Sequence, residues 1–140
     1  MKKILLASHK RLAFGLKDTL EMFLGQTNSI LAICAYMDSS QDHIREIQDF
    51  IDSVEQEDAI IFTDIYGGSV NQQVVELVIA SKKNIMIVTS MNLPIVLSVA
   101  LTNVRLTPEL ICDLSKDCIP RVVETTIEKQ EEGGLDDFFG

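Results

Sequence analysis

Three stretches hold the residues with chemical reach. The run "ILLASH" ends on Ser8 and His9, the run "AIIFTD" ends on Asp64, and "GGSVNQ" comes a few positions later. A carboxylate that accepts a hydrogen bond from one imidazole nitrogen fixes the tautomer and leaves the other nitrogen free as a nucleophile. Gly67 and Gly68 permit close backbone approach, and Ser69 with Gln72 fits the S-x-x-Q capping box of a helix start, whose exposed amides suit an anion. If these residues share one crevice, they supply what phosphoryl transfer asks for: positioning and charge stabilisation. Ser69 reads both as the helix cap and as a phosphate ligand. Singly each feature is an ordinary strand-end histidine, turn aspartate or glycine turn, so the reading depends on a fold that brings them together.

Short apolar runs alternate with helical periodicity along the chain. Residues 2–7, 29–36 ("SILAICAY"), 58–64 ("DAIIFTD") and 84–90 ("NIMIVTS") read as strands. Between them, Leu12, Leu16, Leu20, Phe23 and Leu24 mark a first helix that Gly25 ends. Ser39 or Ser40 can cap a second, with Ile44, Ile47, Ile51 and Val54 inward and His43 solvated on its polar face. Val70, Val74, Leu77 and Val78 mark a third helix, Pro94 suits the first turn of a fourth, and Thr107 with Pro108 is the cap and first-position pair of a fifth. Met86 and Met91 read as core or lining. This alternation predicts an α/β fold of the flavodoxin-like, three-layer class, with right-handed crossovers and a mainly parallel sheet of order 2-1-3-4. Ligands of such sheets bind beyond the carboxyl ends of the strands where the order reverses, between strands one and three. His9 and Asp64 stand at those two ends. Ser8, Lys10 and Asn92 border the same edge; Lys10 and Arg11 read equally as the polar start of the first helix, and Asn92 as a helix start. "RVVETTI", 121–127, alternates as a last edge strand would. The acidic "EKQEEGGLDDFFG" beyond it reads as a flexible tail or linker stub, so the division expected is a domain over 1–127 and a tail over 128–140.

A chain of 140 residues is most simply a single domain with a core of its own. Lys and Arg number 12 against 21 Asp and Glu, a net charge of −9 that disfavours nucleic acid and anionic lipid and fits a basic protein surface. Cys34, Cys112 and Cys118 are odd in number and widely spaced, which argues against a disulfide framework and a zinc site. The amino-terminal run is too short for a secretory signal and no run is long enough to span a membrane, so a cytoplasmic protein is expected.

The stretches "ILLASHKRLAFGL", "IIFTDIYGGSVNQ" and "MNLPIVL" resemble, in order and spacing, the enzyme IIA domain of the mannose/fructose/sorbose class of the phosphoenolpyruvate-dependent sugar phosphotransferase system; the resemblance covers roughly residues 1–127. It implies that His9 receives a phosphoryl group from the phosphohistidine of the carrier HPr and passes it to the IIB component, the IIC and IID membrane components being engaged indirectly. It implies that Asp64 is the acidic partner of that histidine and Ser69 the serine of the glycine-serine turn. It also implies a homodimer that exchanges an antiparallel carboxyl-terminal edge strand, for which "RVVETTI" is the candidate. No metal or cofactor is needed, because donor and acceptor are both phosphoramidates. Two positions depart from the family pattern: Lys10 stands where glycine is frequent after the histidine, and Val70 where proline often succeeds the serine.

Other classes stay open on the sequence. A receiver domain phosphorylated on aspartate shares the fold, but carries an acidic metal-binding pair where Ser8 and His9 stand. A regulatory module of the dihydroxyacetone kinase phosphotransfer type would be separated by a kinase partner. A flavin or nucleotide binder wants a glycine-rich or hydroxyl-rich loop after strand one, which "SHKRLAFG" is not.

Overall fold

Every residue of β1 (Lys2–His9) from Ile4 to Ser8 is buried, with no in-out alternation. A strand covered on both faces has that property, and the side chains sort cleanly. Ile4 and Leu6 face one apolar cluster with Ile60 and Phe62, whereas Leu5 and Ala7 face another with Ala59 and Ile61. The structure is a computed structural model that describes residues 2–26 and 29–125. After β1 come α1 (Leu12–Leu24), β2 (Ile30–Ala35), α2 (Asp42–Ser53), β3 (Asp58–Thr63), α3 (Ser69–Ser81), β4 (Met86–Val88), α4 (Leu93–Leu101) and α5 (Pro108–Ser115).

The sheet has four strands in the order β2-β1-β3-β4, all parallel. Because the chain goes from β1 outward to β2 and then back past β1 to β3, right-handed crossovers put α1 and α2 on opposite faces. Ala13 and Leu20 of α1, Val96 and Val99 of α4 and Ile111 of α5 fill one layer. Ile47 and Ile51 of α2 and Val74 and Val78 of α3 fill the other. This is the three-layer α/β fold expected. In the ladder His9 lies opposite Ala35, and Ala7 opposite Thr63, so β1, β2 and β3 end at one edge.

Several local expectations shift. Asn92 and Thr107 cap α4 and α5 as expected, each accepting a backbone N–H from three residues on. Neither Ser39 nor Ser40 caps α2, whose N-cap is Gln41 without a side-chain bond. Leu12 and Phe23 of α1 are exposed, the inner stripe being Ala13, Leu16, Leu20 and Leu24. β4 is short because its ladder with β3 runs only from Met86 to Val88. Residues 121–125, past α5, carry no strand pairing, and Val122 and Val123 are exposed. Thr126 and Ile127, like the tail 128–140, lie outside the described residues.

One cation ties the two helices of the second layer. Lys83, just beyond α3, donates its ammonium to the carbonyls of Ile51, Asp52 and Val54 at 2.8, 3.2 and 2.6 Å. These carbonyls lie at the negative end of the α2 dipole. Lys83→Met keeps the aliphatic stem and removes these bonds, so unfolding stability should fall by about 1–3 kcal/mol. Urea titration should show a lower midpoint at unchanged slope; an unmoved midpoint would show that the cap contributes nothing.

Candidate functional site

The turn after β1 is built by Ser8. Its buried hydroxyl accepts the Ala13 N–H at 2.8 Å and donates to the Lys10 carbonyl at 3.2 Å. The Lys10 N–H bonds the Ala35 carbonyl at 2.8 Å, extending the pairing with β2 one residue beyond His9. This closure forces Lys10 to φ +52°, a conformation glycine adopts freely and a lysine does not. The glycine that the resemblance leads one to expect here would take this geometry freely, and Lys10 meets it at some cost.

His9 is held at both ends of its residue by one carboxylate oxygen. Asp64 Oδ2 accepts the His9 backbone N–H and lies 2.9 Å from the ring Nδ1. Since a carboxylate can only accept, Nδ1 carries the proton and Nε2 the lone pair. Nε2 lies 3.1 Å from Ser69 Oγ, whose hydroxyl is its donor. The Asp64 side chain is only 6% exposed, whereas that of His9 is 35% exposed, so the ring can be reached and its carboxylate cannot. Burial by itself would raise the Asp64 pKa, but the His9 backbone N–H, the bond from the His9 ring and its own backbone N–H outweigh it and hold the carboxyl below the usual range.

The turn Ile65–Gly68 presents α3 to this pair. Gly68 N–H closes it on the Ile65 carbonyl at 3.1 Å, and Gly67 at φ +74° takes the position where type II turns require glycine. A Cβ on Gly68 would press on the Ile65 backbone carbonyl at 3.3 Å and only touch His9 Cε1, at 3.5 Å, so the tight fit there is to the turn itself. Gly68, not Ser69, is the N-cap of α3; Gln72 reaches back to the Gly67 carbonyl at 2.8 Å instead. The capping box expected at Ser69 and Gln72 is thus not formed, and the Ser69 hydroxyl is turned toward His9. With a glycine at the cap, no side chain of the cap residue bonds the first-turn amides of α3, which carry the positive end of the helix dipole. Behind the turn, buried Thr63 donates to Asn71 Oδ1 at 2.9 Å, fixing the end of β3 to the first turn of α3.

The structure therefore brings Ser8, His9, Lys10, Asp64, Gly67, Gly68 and Ser69 to one edge. Asn92 is engaged elsewhere: it caps α4 and donates to the Cys118 carbonyl at 2.9 Å. His43 is not solvated but 3% exposed, its Nε2 2.9 Å from Gln73 Oε1. The signal was present, since His43, Ile47, Phe50 and Ile51 share one helical stripe; the face was set by α3 packing beside α2. Tyr36 is the residue sequence reasoning missed. It stacks on His9 with ring centroids 5.4 Å apart and donates its hydroxyl to Ser69 Oγ at 2.8 Å. Its position at the end of the second apolar run, on the same edge, was the available clue. Among the described residues no cluster of His, Cys, Asp and Glu could hold a metal ion, and no helix is long and apolar enough to cross a membrane.

A parallel α/β sandwich with a carboxylate-held histidine at its carboxyl edge defines the class. Residues 3–113 match the family described as PTS system fructose IIA component. No curated protein sequence matches. A phosphoenolpyruvate-dependent sugar phosphotransferase system permease from Klebsiella pneumoniae is 28% identical, with a TM-score of 0.70 over 86% of this chain and 90% of its own. The PTS IIA protein associated with the fucose utilization operon of Streptococcus pneumoniae shares the fold at 23% identity and TM-score 0.72, over 93% of this chain and 96% of its own. The mannose/sorbose-specific IIA subunit from Enterococcus faecalis does so at 19% and 0.68, over 91% and 99%. The chain belongs to the fructose/mannose IIA family of the sugar phosphotransferase system.

The construction of the site has two measurable outcomes. Because the Asp64 pKa is lowered on folding, its ionic contribution is present above the unfolded value and lost as pH falls through the folded one. The stability difference between the protein and Asp64→Asn should therefore shrink below about pH 4, as read by urea titrations across pH; a difference that grows on acidification would contradict the pairing. Lys10→Gly should relieve the left-handed backbone and leave stability unchanged or raised by up to about 1 kcal/mol. A thermal melt showing clear destabilisation would mean the lysine side chain contributes more than its backbone costs.

Proposed function

We propose that this chain is a phosphoryl carrier: His9 accepts the group from the phosphohistidine of HPr and passes it to the IIB component of the same transporter. The observation that carries the reading is the His9 ring itself, held at Nδ1 by Asp64 with Nε2 turned to the reachable side against Ser69. The Nε2 lone pair attacks phosphorus as the donor's P–N bond breaks, and the departing imidazole keeps that electron pair. The His9 ring gains positive charge while retaining its Nδ1 proton, and the adjacent Asp64 carboxylate balances it. The phosphoryl oxygens meet the Ser69 hydroxyl and the amides at the start of α3, with Gly67 and Gly68 clearing the approach. Transfer to IIB runs the same steps in reverse. Donor and product are both phosphoramidates, so neither metal nor cofactor is called for.

The surroundings support protein partners. Ile65 and Tyr66, next to Asp64 in the chain, are exposed, as are Lys10 and Arg11, which follow His9, and these give a docking partner apolar and cationic surface. The net charge of −9 favours a basic partner in the cytoplasm. The IIC and IID membrane components are engaged only through IIB. The outer edge of β4 has no strand beside it among the described residues, which favours a homodimer in which the segment 121–127 of one subunit adds antiparallel to β4 of the other. Residues 1–127 then form the IIA domain, and 128–140 a tail outside it. The receiver alternative is disfavoured, since Asp64 is spent on His9 and the Ile65 N–H.

Intact mass after incubation with phosphoenolpyruvate, enzyme I and HPr tests the reading. One acid-labile phosphate that requires HPr and is lost in His9→Ala is expected; label retained by His9→Ala would assign the chemistry elsewhere.

A further inference from the structure

Tyr36 adopts φ +63°, a left-handed conformation that is an outlier for a bulky aromatic and one that persists only where its surroundings impose it. What it gains is contact with the site: the ring stacks on His9 and its hydroxyl bonds Ser69 Oγ. On its far side Gln73 Nε2 approaches the Tyr36 oxygen at 3.5 Å, and Gln73 Oε1 lies 2.9 Å from Nε2 of buried His43, whose ring also packs against Tyr36 at 5.1 Å.

With the imidazole neutral, as a nucleophile must be, the donors and acceptors of these bonds can be satisfied in one sense. Asp64 can only accept, so His9 donates to it through Nδ1 and accepts at Nε2. Ser69 therefore donates to His9, and its lone pair receives the Tyr36 hydroxyl proton. The Tyr36 oxygen accepts from Gln73, and Gln73 Oε1 accepts from His43 Nε2–H. The chain runs from buried His43 through Gln73, Tyr36, Ser69 and His9 to Asp64 with every proton directed toward the carboxylate.

Resting on the phosphocarrier reading, we propose that Tyr36 is a positioning residue: by occupying the Ser69 lone pair it fixes Ser69 as a donor toward Nε2 and toward the phosphoryl group bound there. When phosphorus bonds to Nε2, the Ser69 proton turns to a phosphoryl oxygen while its bond from Tyr36 is kept. Gln73 and His43 hold Tyr36 in turn, which gives the buried histidine a part in the site without contact with the transferred group.

A double-mutant cycle of Tyr36→Phe and Ser69→Ala, read as the rate of phosphoryl transfer from phosphorylated HPr, tests this. Tyr36→Phe keeps the ring and the stacking; losing one directed hydrogen bond should slow transfer roughly 3- to 10-fold. In the Ser69→Ala background the same change should have no further effect. Equal slowing in both backgrounds, or none in the first, would overturn the role assigned to Tyr36. Wild-type protein that takes no phosphate from HPr would instead overturn the phosphocarrier reading, and the role of Tyr36 with it.

Discussion

The site depends on one carboxylate oxygen accepting two N–H groups from the same residue. Asp64 Oδ2 takes the backbone and the ring of His9, so the carboxyl ends of β1 and β3 are joined by the interaction that also sets the tautomer. An ionised acceptor makes both bonds stronger than neutral ones, and the low exposure of Asp64 keeps water from competing. Fold and chemistry are coupled at this point: moving either strand end by one residue would lose the carboxylate, the nucleophilic face and the approach of α3 together.

The remaining architecture serves that juxtaposition. Covering both sheet faces lets β1 and β3 be apolar throughout, so their ends alone are free to carry polar chemistry. Reversal of strand order around β1 leaves a gap above the sheet into which the Ile65–Gly68 turn and the start of α3 project. Glycine serves there twice for different reasons, at Gly67 through the backbone angle and at Gly68 through the Ile65 carbonyl on which a side chain would press. Strain is tolerated at the same edge, where Lys10 and Tyr36 both take left-handed conformations; such concentrations are found at sites that use them.

Much of this was legible in the chain. Four apolar runs separated by helical periodicity gave the parallel sheet and its order, and strand ends then placed His9 beside Asp64. Asn92 and the Thr107–Pro108 pair marked helix starts because capping is local chemistry. What escaped was set by tertiary contact. Ser69 reads as a cap until the backbone makes Gly68 the cap and turns the hydroxyl to His9. His43 reads as solvated until α3 packs beside α2. Tyr36 reads as the last residue of a strand until a positive φ swings its ring over the imidazole. β4 reads long because its apolar run is long, whereas its ladder with β3 ends at Val88 opposite Phe62.

By holding the Nδ1 proton, Asp64 commits Nε2 to the phosphoryl group. Nitrogen NMR of His9 in the phosphorylated protein tests it most directly, because the two phosphohistidine isomers differ in which ring nitrogen couples to phosphorus. Coupling at Nε2, with Nδ1 still protonated, is the result expected. Phosphorus on Nδ1 would mean the imidazole leaves Asp64 to react, and the Asp64–His9 pair would then be a resting contact rather than the reactive one.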